Sequence, residues 1–265
     1  MLSNVDEALL TAGGLDVNQS GPILTISLAR PQSRNAQTPA TWRALSAIAT
    51  SLASDIRVVI LRGEGQSFSA GLDKRMFTEG VPGELPLAGM ASLSDEEFDV
   101  TIEGFQEAFT CWRELDAIVI AGVQGHAIGA GFQLALGADM IVVADDVQFC
   151  MKETQLGLVP DLGGTHPLVA AVGYPRALEI CASGRRVGAA EAVSLGIALR
   201  SVAVDVLDAE VKSLAESLLT ALPEAVVETK HLLVSAAQSS RGEQVRQERR
   251  AQQRRIAHLA SLLGS

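Results

Sequence analysis

Val119-Ile120-Ala121-Gly122-Val123-Gln124-Gly125-His126-Ala127-Ile128-Gly129-Ala130-Gly131-Phe132-Gln133-Leu134-Ala135-Leu136-Gly137 is the stretch whose reading decides the fold. An apolar strand over 119–123 runs into a glycine-rich turn at 129–131, and an apolar helix over 132–137 leaves it. A second apolar strand follows from Met140 to Ala144, then Phe149-Cys150-Met151-Lys152-Glu153. The stretch closes on Leu156-Gly157-Leu158-Val159-Pro160-Asp161-Leu162-Gly163-Gly164-Thr165. A strand feeding a glycine turn that opens a helix makes an anion site. The first helical N–H groups lack acceptors within the helix, and the helix dipole is positive there. Glu153 and Asp161 are the carboxylates nearest that turn in sequence.

Three readings fit the turn. As a dinucleotide-binding element, Gly129-Ala130-Gly131 supplies two of the three glycines of G-x-G-x-x-G, and Asp145-Asp146 stands where a ribose-binding acid belongs. Against this, Leu134 occupies the third glycine position and the turn lies mid-chain. As a packing element, small residues let a helix approach a strand closely, with no chemistry. As an oxyanion hole, the turn aims N–H groups at a carbonyl oxygen. The turn alone does not choose among them.

Upstream, Gly21-Pro22 starts a strand in which Leu24, Ile26 and Leu28 alternate with Ile23, Thr25 and Ser27. Residues 1–20 read as a polar leader. Thr38-Pro39 is a helix start with proline at the first helical position, and Trp42, Leu45, Ala49 and Leu52 mark one face. Val58 to Leu61 is an unbroken apolar run, suited to a sheet covered on both faces. The loop after it, Arg62 to Lys74, lies at the carboxyl end of a strand, where α/β proteins place ligands. Within it, Gly65-Gln66-Ser67-Phe68-Ser69 falls short of the nucleophile elbow G-x-S-x-G, which argues against a serine hydrolase.

Residues 78–97, with Gly80, Pro82, Gly83, Pro86 and Gly89, read as a mobile loop over the substrate. A helix is predicted from about Asp99 to Leu115. After the central stretch, helices are expected from 163–165 to Val172 and from Pro175, the latter with Ala177, Leu178 and Cys181 inward. A short one near 187–196 follows. Strand alternating with helix implies parallel strands with crossovers. From about Asp208 three helical segments follow, roughly 208–221, 224–237 and 241–262. The last is rich in arginine: Arg246, Arg249, Arg250, Arg254 and Arg255. It reads equally as a solvated face or as a subunit or anionic-ligand contact.

The 265 residues are 48% hydrophobic and 20% charged, which suits one large globular unit with a substantial core. The formal net charge of -10 disfavours a nucleic-acid binder. Cys111, Cys150 and Cys181 are far apart and form no C-x-x-C, so neither a zinc site nor a disulfide framework is suggested. No signal peptide and no membrane-length apolar run is visible, so a cytoplasmic protein is expected.

Taken in order, Arg30-Pro31 with Asn35-Ala36, Phe68-Ser69-Ala70-Gly71-Leu72-Asp73, Gly125 to Gly131, and Glu153 to Thr165 resemble the enoyl-CoA hydratase/isomerase (crotonase) family over about residues 21–237. The resemblance implies an α/β fold, a spiral of ββα units over residues 1–200 that binds and transforms acyl-CoA. It also implies a C-terminal helical region over 201–265 that assembles trimers, often paired into hexamers. The implied partner is an acyl-CoA thioester, with no nucleic acid and no membrane. Coenzyme A is then part of the substrate, and no separate cofactor or metal is expected. The shared chemistry is an enolate held at the thioester oxygen by two main-chain N–H groups, which fall on Leu72 and Ala130. Ala130 stands where glycine is usual, tolerable if its φ is negative.

The resemblance further places Ala36, Ser69, Ala70 and Asp73 along the coenzyme A path and makes Arg34 and Lys74 candidates for its phosphates. Family hydratases use two glutamates. The second matches Glu153, whereas the first falls on Gln133, a neutral amide that can orient water but not deprotonate it. A single carboxylate suffices for moving a double bond, so isomerisation is the expected reaction, with Glu153 as proton shuttle. Hydration assisted by Gln133, and acyl-CoA binding without turnover, are the alternatives. Asp161 stands where the dienoyl-CoA isomerases carry a second acid, and equally suits a helix cap before Gly163. No second histidine or acid stands at metal-ligand spacing from His126 or His166, which points to packing or hydrogen bonding for both.

Overall fold

The computed structural model describes residues 5–263. The chain opens with helix α1 (Glu7–Gly13), strands β1 (Leu15–Ser20) and β2 (Ile23–Leu28), helix α2 (Pro39–Thr50) and β3 (Val58–Gly63). Helices α3 (Leu87–Met90) and α4 (Asp95–Thr110) precede β4 (Ile118–Val123), β5 (His126–Ile128) and α5 (Ala130–Gly137). Next come β6 (Met140–Ala144), β7 (Gln148–Cys150), α6 (Thr165–Val172) and α7 (Tyr174–Ser183). The chain ends with β8 (Arg186–Gly188), α8 (Ala189–Ser194), β9 (Arg200–Val202), α9 (Leu207–Leu218), α10 (Pro223–Ala236) and α11 (Arg241–Leu263).

The strands form a six-stranded sheet in the order β1-β2-β3-β4-β6-β9 and a three-stranded sheet in the order β5-β7-β8. From β2 to β9 the large sheet is parallel, and β1 is an antiparallel edge. Each turn of the chain leaves one strand in the large sheet, a second in the small sheet, then a helix: β4-β5-α5, then β6-β7-α6. The segment after β3 follows the same path, because Ser69 makes a parallel bridge to Ala127 of β5 before a short 3-10 helix at Lys74–Phe77. The result is a spiral of ββα units followed by helices.

The unbroken apolar runs are explained by burial on both faces. Val59, Leu61, Val119, Ala121 and Val143 face the main core with α2, α4 and α5. The alternate residues Val58, Ile60, Ile118, Ile120 and Val142 face α9. The helix start at Thr38 is as predicted: its hydroxyl accepts from the Thr41 amide, and Pro39 follows.

Four expectations are corrected. Residues 7–20 are not a leader but α1, capped by Asp6, and the edge strand β1; residues 1–4 lie outside the described residues. The segment 78–97 contains α3, and α4 begins four residues earlier than predicted because Ser94 and Glu97 form a reciprocal capping box. In α7 Ala177 and Ile180 are buried and Cys181 packs partly buried against the core, whereas Leu178 is 51% exposed. Finally, β5, β8 and β9, only three residues each, were not legible as strands. Among the described residues no helix is long and apolar enough to cross a membrane.

Candidate active site

The loop between β3 and α3 is zipped against the start of α5. The amides of Phe68 and Ser69 donate to the carbonyls of Gln124 and His126 (2.8 Å each), and the Ile128 amide donates to the Ser69 carbonyl at 3.0 Å. Ser69 thus pairs with Ala127. Beyond this bridge Gly71 lies against the 128–130 segment. The approach is close: a Cβ added to Gly71, whose φ is +85°, would sit 2.4 Å from the Ile128 carbonyl oxygen and 3.5 Å from the Ala130 nitrogen. Only glycine accepts both the left-handed backbone and the lack of space.

Among the described residues no acceptor takes the N–H of either Leu72 or Ala130. Ala130 is the first residue of α5, so its amide is one of the helix's unsatisfied donors, and its Gly129 cap supplies no side chain to take it. Ala130 is helical with negative φ, as a side chain there requires. On the other flank, Gln37 donates its amide to the Gly71 carbonyl (2.7 Å) and accepts from the Asp73 amide (2.8 Å). Backbone groups alternate sides along an extended chain. With its neighbours committed to Gln37, the Leu72 N–H turns away from Gln37.

Glu153 follows β7, which lies beside β5, and the Gly129 amide donates to the Cys150 carbonyl at 2.8 Å. Its side chain is buried against the glycine turn: a Cβ on Gly129 would lie 3.2 Å from Glu153 Oε1 and 3.8 Å from Oε2. Oε1 accepts from Gln133 Nε2 at 2.7 Å. Oε2 is buried and has no hydrogen-bond partner among the described residues. Burial pushes the Glu153 carboxyl above its ordinary range. The negative charge of Asp161 adds to that push, and the Gln133 hydrogen bond opposes it.

Gln133, one turn into α5, is 1% exposed and has no freedom to flip. Its carbonyl oxygen accepts from the Leu162 amide (3.0 Å) and the Gly164 amide (3.3 Å), so its NH2 group must face Glu153. Asp161 lies in the same loop, and crowding by protein raises its carboxyl although part of its surface remains accessible. No side chain caps α6, which removes the helix-cap role considered for Asp161.

The remaining predicted residues gather on the outer side of the zipped loop. The Ala70 amide donates to the Arg34 carbonyl at 2.8 Å, placing 34–36 beside 69–74. Arg34 and Lys74 are exposed cations without a carboxylate partner among the described residues. Ser69 differs from expectation: it is fully buried, and its hydroxyl binds Asn35, Gln37 and Gly71 rather than facing a ligand path. Asp73 is engaged by Arg75, which donates to it at 2.7 Å and holds its carboxyl low. His126 contacts the Ser67 hydroxyl at 3.1 Å, and His166 is exposed on α6. Among the described residues, no group of three or more His, Cys, Asp or Glu is placed to hold a metal ion.

Residues 18–262 match the family model described as enoyl-CoA hydratase/isomerase. The chain belongs to the enoyl-CoA hydratase/isomerase family. Carnitinyl-CoA dehydratase of Salmonella enteritidis PT4 is 36% identical over 221 residues, 82% of this chain and 79% of the relative. A Thermobifida fusca YX protein proposed to be an enoyl-CoA hydratase, solved with CoA, superposes with a TM-score of 0.92 at 42% identity, covering 98% of this chain and 100% of that one. A Thermobifida fusca YX structure of the same description, solved with acetoacetyl-CoA, gives a TM-score of 0.91 at 43% identity, over 96% of this chain and 99% of that one.

Against this hydratase/isomerase framework, two residues that touch the site escaped the sequence. Gln106 on α4 donates to the Asp161 carbonyl at 2.6 Å, and Gln37 brackets Leu72. Gln37 sits between Asn35 and Thr38, inside a segment already marked by the motif. Its neighbours there were the only signal, since a buried amide looks like any surface glutamine in sequence.

Proposed function

We propose that this chain moves a carbon–carbon double bond in an acyl-CoA thioester, with Glu153 as the proton carrier and the Leu72 and Ala130 amides as the oxyanion hole. The observation that supports this reading is the division of labour in the Glu153 carboxylate. Gln133 holds one oxygen; the other is buried, unpartnered and next to the glycine turn that carries the Ala130 amide. In a 3-enoyl thioester, Oε2 takes a proton from C2. The electron pair moves onto the thioester oxygen, giving a dienolate that accepts hydrogen bonds from the two amides. The Glu153 acid then returns the proton at C4, leaving the conjugated 2-enoyl thioester. A raised carboxyl pKa suits both halves of this cycle, because it makes Glu153 a stronger base and keeps the proton available for return.

Coenzyme A would lie along the zipped loops, with Arg34 and Lys74 at its phosphates and the main chain of Ala36, Ala70 and Asp73 beside its pantetheine and adenine. The buried Ser69 side chain would support that path from behind. The α10–α11 pair, with Leu233 at 70% and Ile256 at 57% exposure, is the surface through which copies would assemble as trimers or hexamers.

A second reading, reversible water addition and elimination, is favoured by the dehydratase relatives and by Asp161, a second acid whose charge is felt at Glu153. The assignment of Gln133 disfavours it. That amide's oxygen is already taken by two backbone donors, so it has little left with which to orient a water. Assaying 3-enoyl-, 2-enoyl- and 3,5-dienoyl-CoA side by side separates the readings. Conversion of 3-enoyl to 2-enoyl thioester with little hydration is expected. Rapid consumption of 2-enoyl-CoA would install the hydratase instead, and tight binding without turnover on all three would make the chain an acyl-CoA binder.

A further inference from the structure

Gln37 and Trp42 lie outside every catalytic and ligand-contact position discussed above, yet they form the innermost layer behind the Leu72 amide. Gln37 is 0% exposed, Ser69 0%, Asn35 1% and Trp42 4%. A chain of hydrogen bonds links them. The Trp42 indole N–H donates to Gln37 Oε1 (2.8 Å), and Gln37 Nε2 donates to Ser69 Oγ (3.0 Å). The Ser69 hydroxyl donates to the Asn35 carbonyl (2.8 Å) and accepts from the Gly71 amide (3.1 Å).

The polarity of this chain is fixed. An indole N–H only donates, so Gln37 must present its oxygen to Trp42 and its NH2 to Ser69. Ser69 then has one hydrogen, spent on Asn35, and its lone pairs receive Gln37 and Gly71. Gln37 also grips Leu72 through its main chain, by its bonds to Gly71 and Asp73 on either side. One residue therefore sets the peptide groups before and after Leu72, and through Ser69 holds Gly71 in its left-handed turn.

We infer that Gln37 is a positioning residue for the oxyanion hole, fixing the direction of the Leu72 N–H through a dry relay from Trp42 to Ser69. The inference rests on the proposed role of the Leu72 and Ala130 amides. Gln37 is fully buried and acts from behind: its main chain holds the 71–72 peptide directly, and its side chain, through Ser69, holds the 70–71 peptide that leads into it. A donor aimed before the charge develops is worth more than one that must reorient. The leucine variant Gln37→Leu keeps the volume and the main-chain bracket and removes the side-chain relay.

The test measures enolisation without turnover. Acetoacetyl-CoA is titrated into the wild type and into Gln37→Leu, and the bound enolate is read by its ultraviolet absorbance, alongside kcat and KM for a 3-enoyl-CoA. Trp42→Phe, which keeps an aromatic ring but deletes the indole N–H, is the second variant. In Gln37→Leu the enolate fraction and kcat are expected to fall about tenfold or more, with the acetoacetyl-CoA dissociation constant and KM within about twofold. Trp42→Phe is expected to show the same pattern at smaller amplitude. An undiminished wild-type enolate and kcat in both variants would overturn the role of Gln37 and leave the oxyanion hole standing. A wild type that binds acetoacetyl-CoA with no enolate would overturn the hole itself, and the role of Gln37 with it. Equal losses in affinity and kcat would mark Gln37 as general scaffolding and also overturn the inference.

Discussion

Two carboxylates, the buried Glu153 and the largely buried Asp139, sit at opposite ends of the parallel strands and are treated in opposite ways. Asp139, just before β6, has its Oδ2 filled by the Lys230 ammonium (2.7 Å) and the Val119 amide (2.8 Å). Lys230 reaches in from α10 and is itself satisfied by the carbonyls of Ala117 (2.7 Å) and Trp112 (3.3 Å). Burial works against both charges there, and each is opposed by the attraction of the other. Glu153, at the carboxyl end of β7, has no ion-pair partner among the described residues, and one of its oxygens has no hydrogen-bond partner among them. The closed pair fastens the C-terminal helices to the sheet. The open carboxylate carries an unmet demand for a proton or a donor, which is what a base requires. Burial alone does not separate structure from chemistry; completeness of the partner set does.

Removing the open carboxylate breaks the comparison most visibly. Glu153→Gln should lower kcat by about 10²–10⁴-fold while the fold is retained. Its stability effect has a defined sign. A carboxyl whose folded pKa is raised binds protons more readily folded than unfolded, so its ionisation costs stability as pH rises through the folded pKa. Glu153→Gln is therefore expected to melt higher than the wild type at neutral pH, with the advantage vanishing below the unfolded carboxylate pKa. A variant that is active, or that melts lower at neutral pH, would sink the assignment.

Opening the closed pair is the next largest test. Lys230→Met leaves the largely buried Asp139 without its ammonium partner, and should cost about 3 kcal/mol in denaturant unfolding. The double variant Asp139→Asn/Lys230→Met removes both charges and should recover much of that loss, with kcat per folded molecule near wild type throughout. A large fall in kcat for a folded double variant would erase the distinction between the two sites.

The smallest expected effect comes from the group that half-closes the site. Gln133→Leu removes the bond to Glu153 Oε1 and the acceptor for Leu162 and Gly164. The Glu153 carboxyl should then titrate higher still, because a hydrogen bond that lowered its pKa is gone. The acid limb of the kcat/KM–pH profile should move to higher pH, with about a tenfold fall in kcat. An unmoved limb would mean that Gln133 does not tune Glu153.

The strand runs, the Thr38-Pro39 helix start and the glycine turn were legible because each carries a local signal: an unbroken apolar run, a cap, or a backbone that only glycine tolerates. The proposed pairing of Leu72 with Ala130 rests on resemblance to known sequences. No local pattern reveals that Ser69 bridges Ala127. The edge strand β1 was missed although Leu15 and Val17 alternate with Asp16 and Asn18, a weak signal overshadowed by the polar residues around it. Ser69 was placed on a ligand path by resemblance alone; the structure spends its hydroxyl on three internal bonds. The role of Gln133 was half visible. Its identity argued against a second base, but its grip on the 162–164 amides depends on the loop folding back over α5.

The receptacle proposed for the thioester oxygen is made of peptide groups, and that has a practical consequence for redesign. Only proline, which has no N–H, can delete a main-chain donor by a single replacement, whereas the choice of reaction would rest with the groups at 133, 153 and 161. Anyone re-tooling this chain toward a different acyl-CoA transformation can hold the anion receptacle constant and rewrite three positions around it.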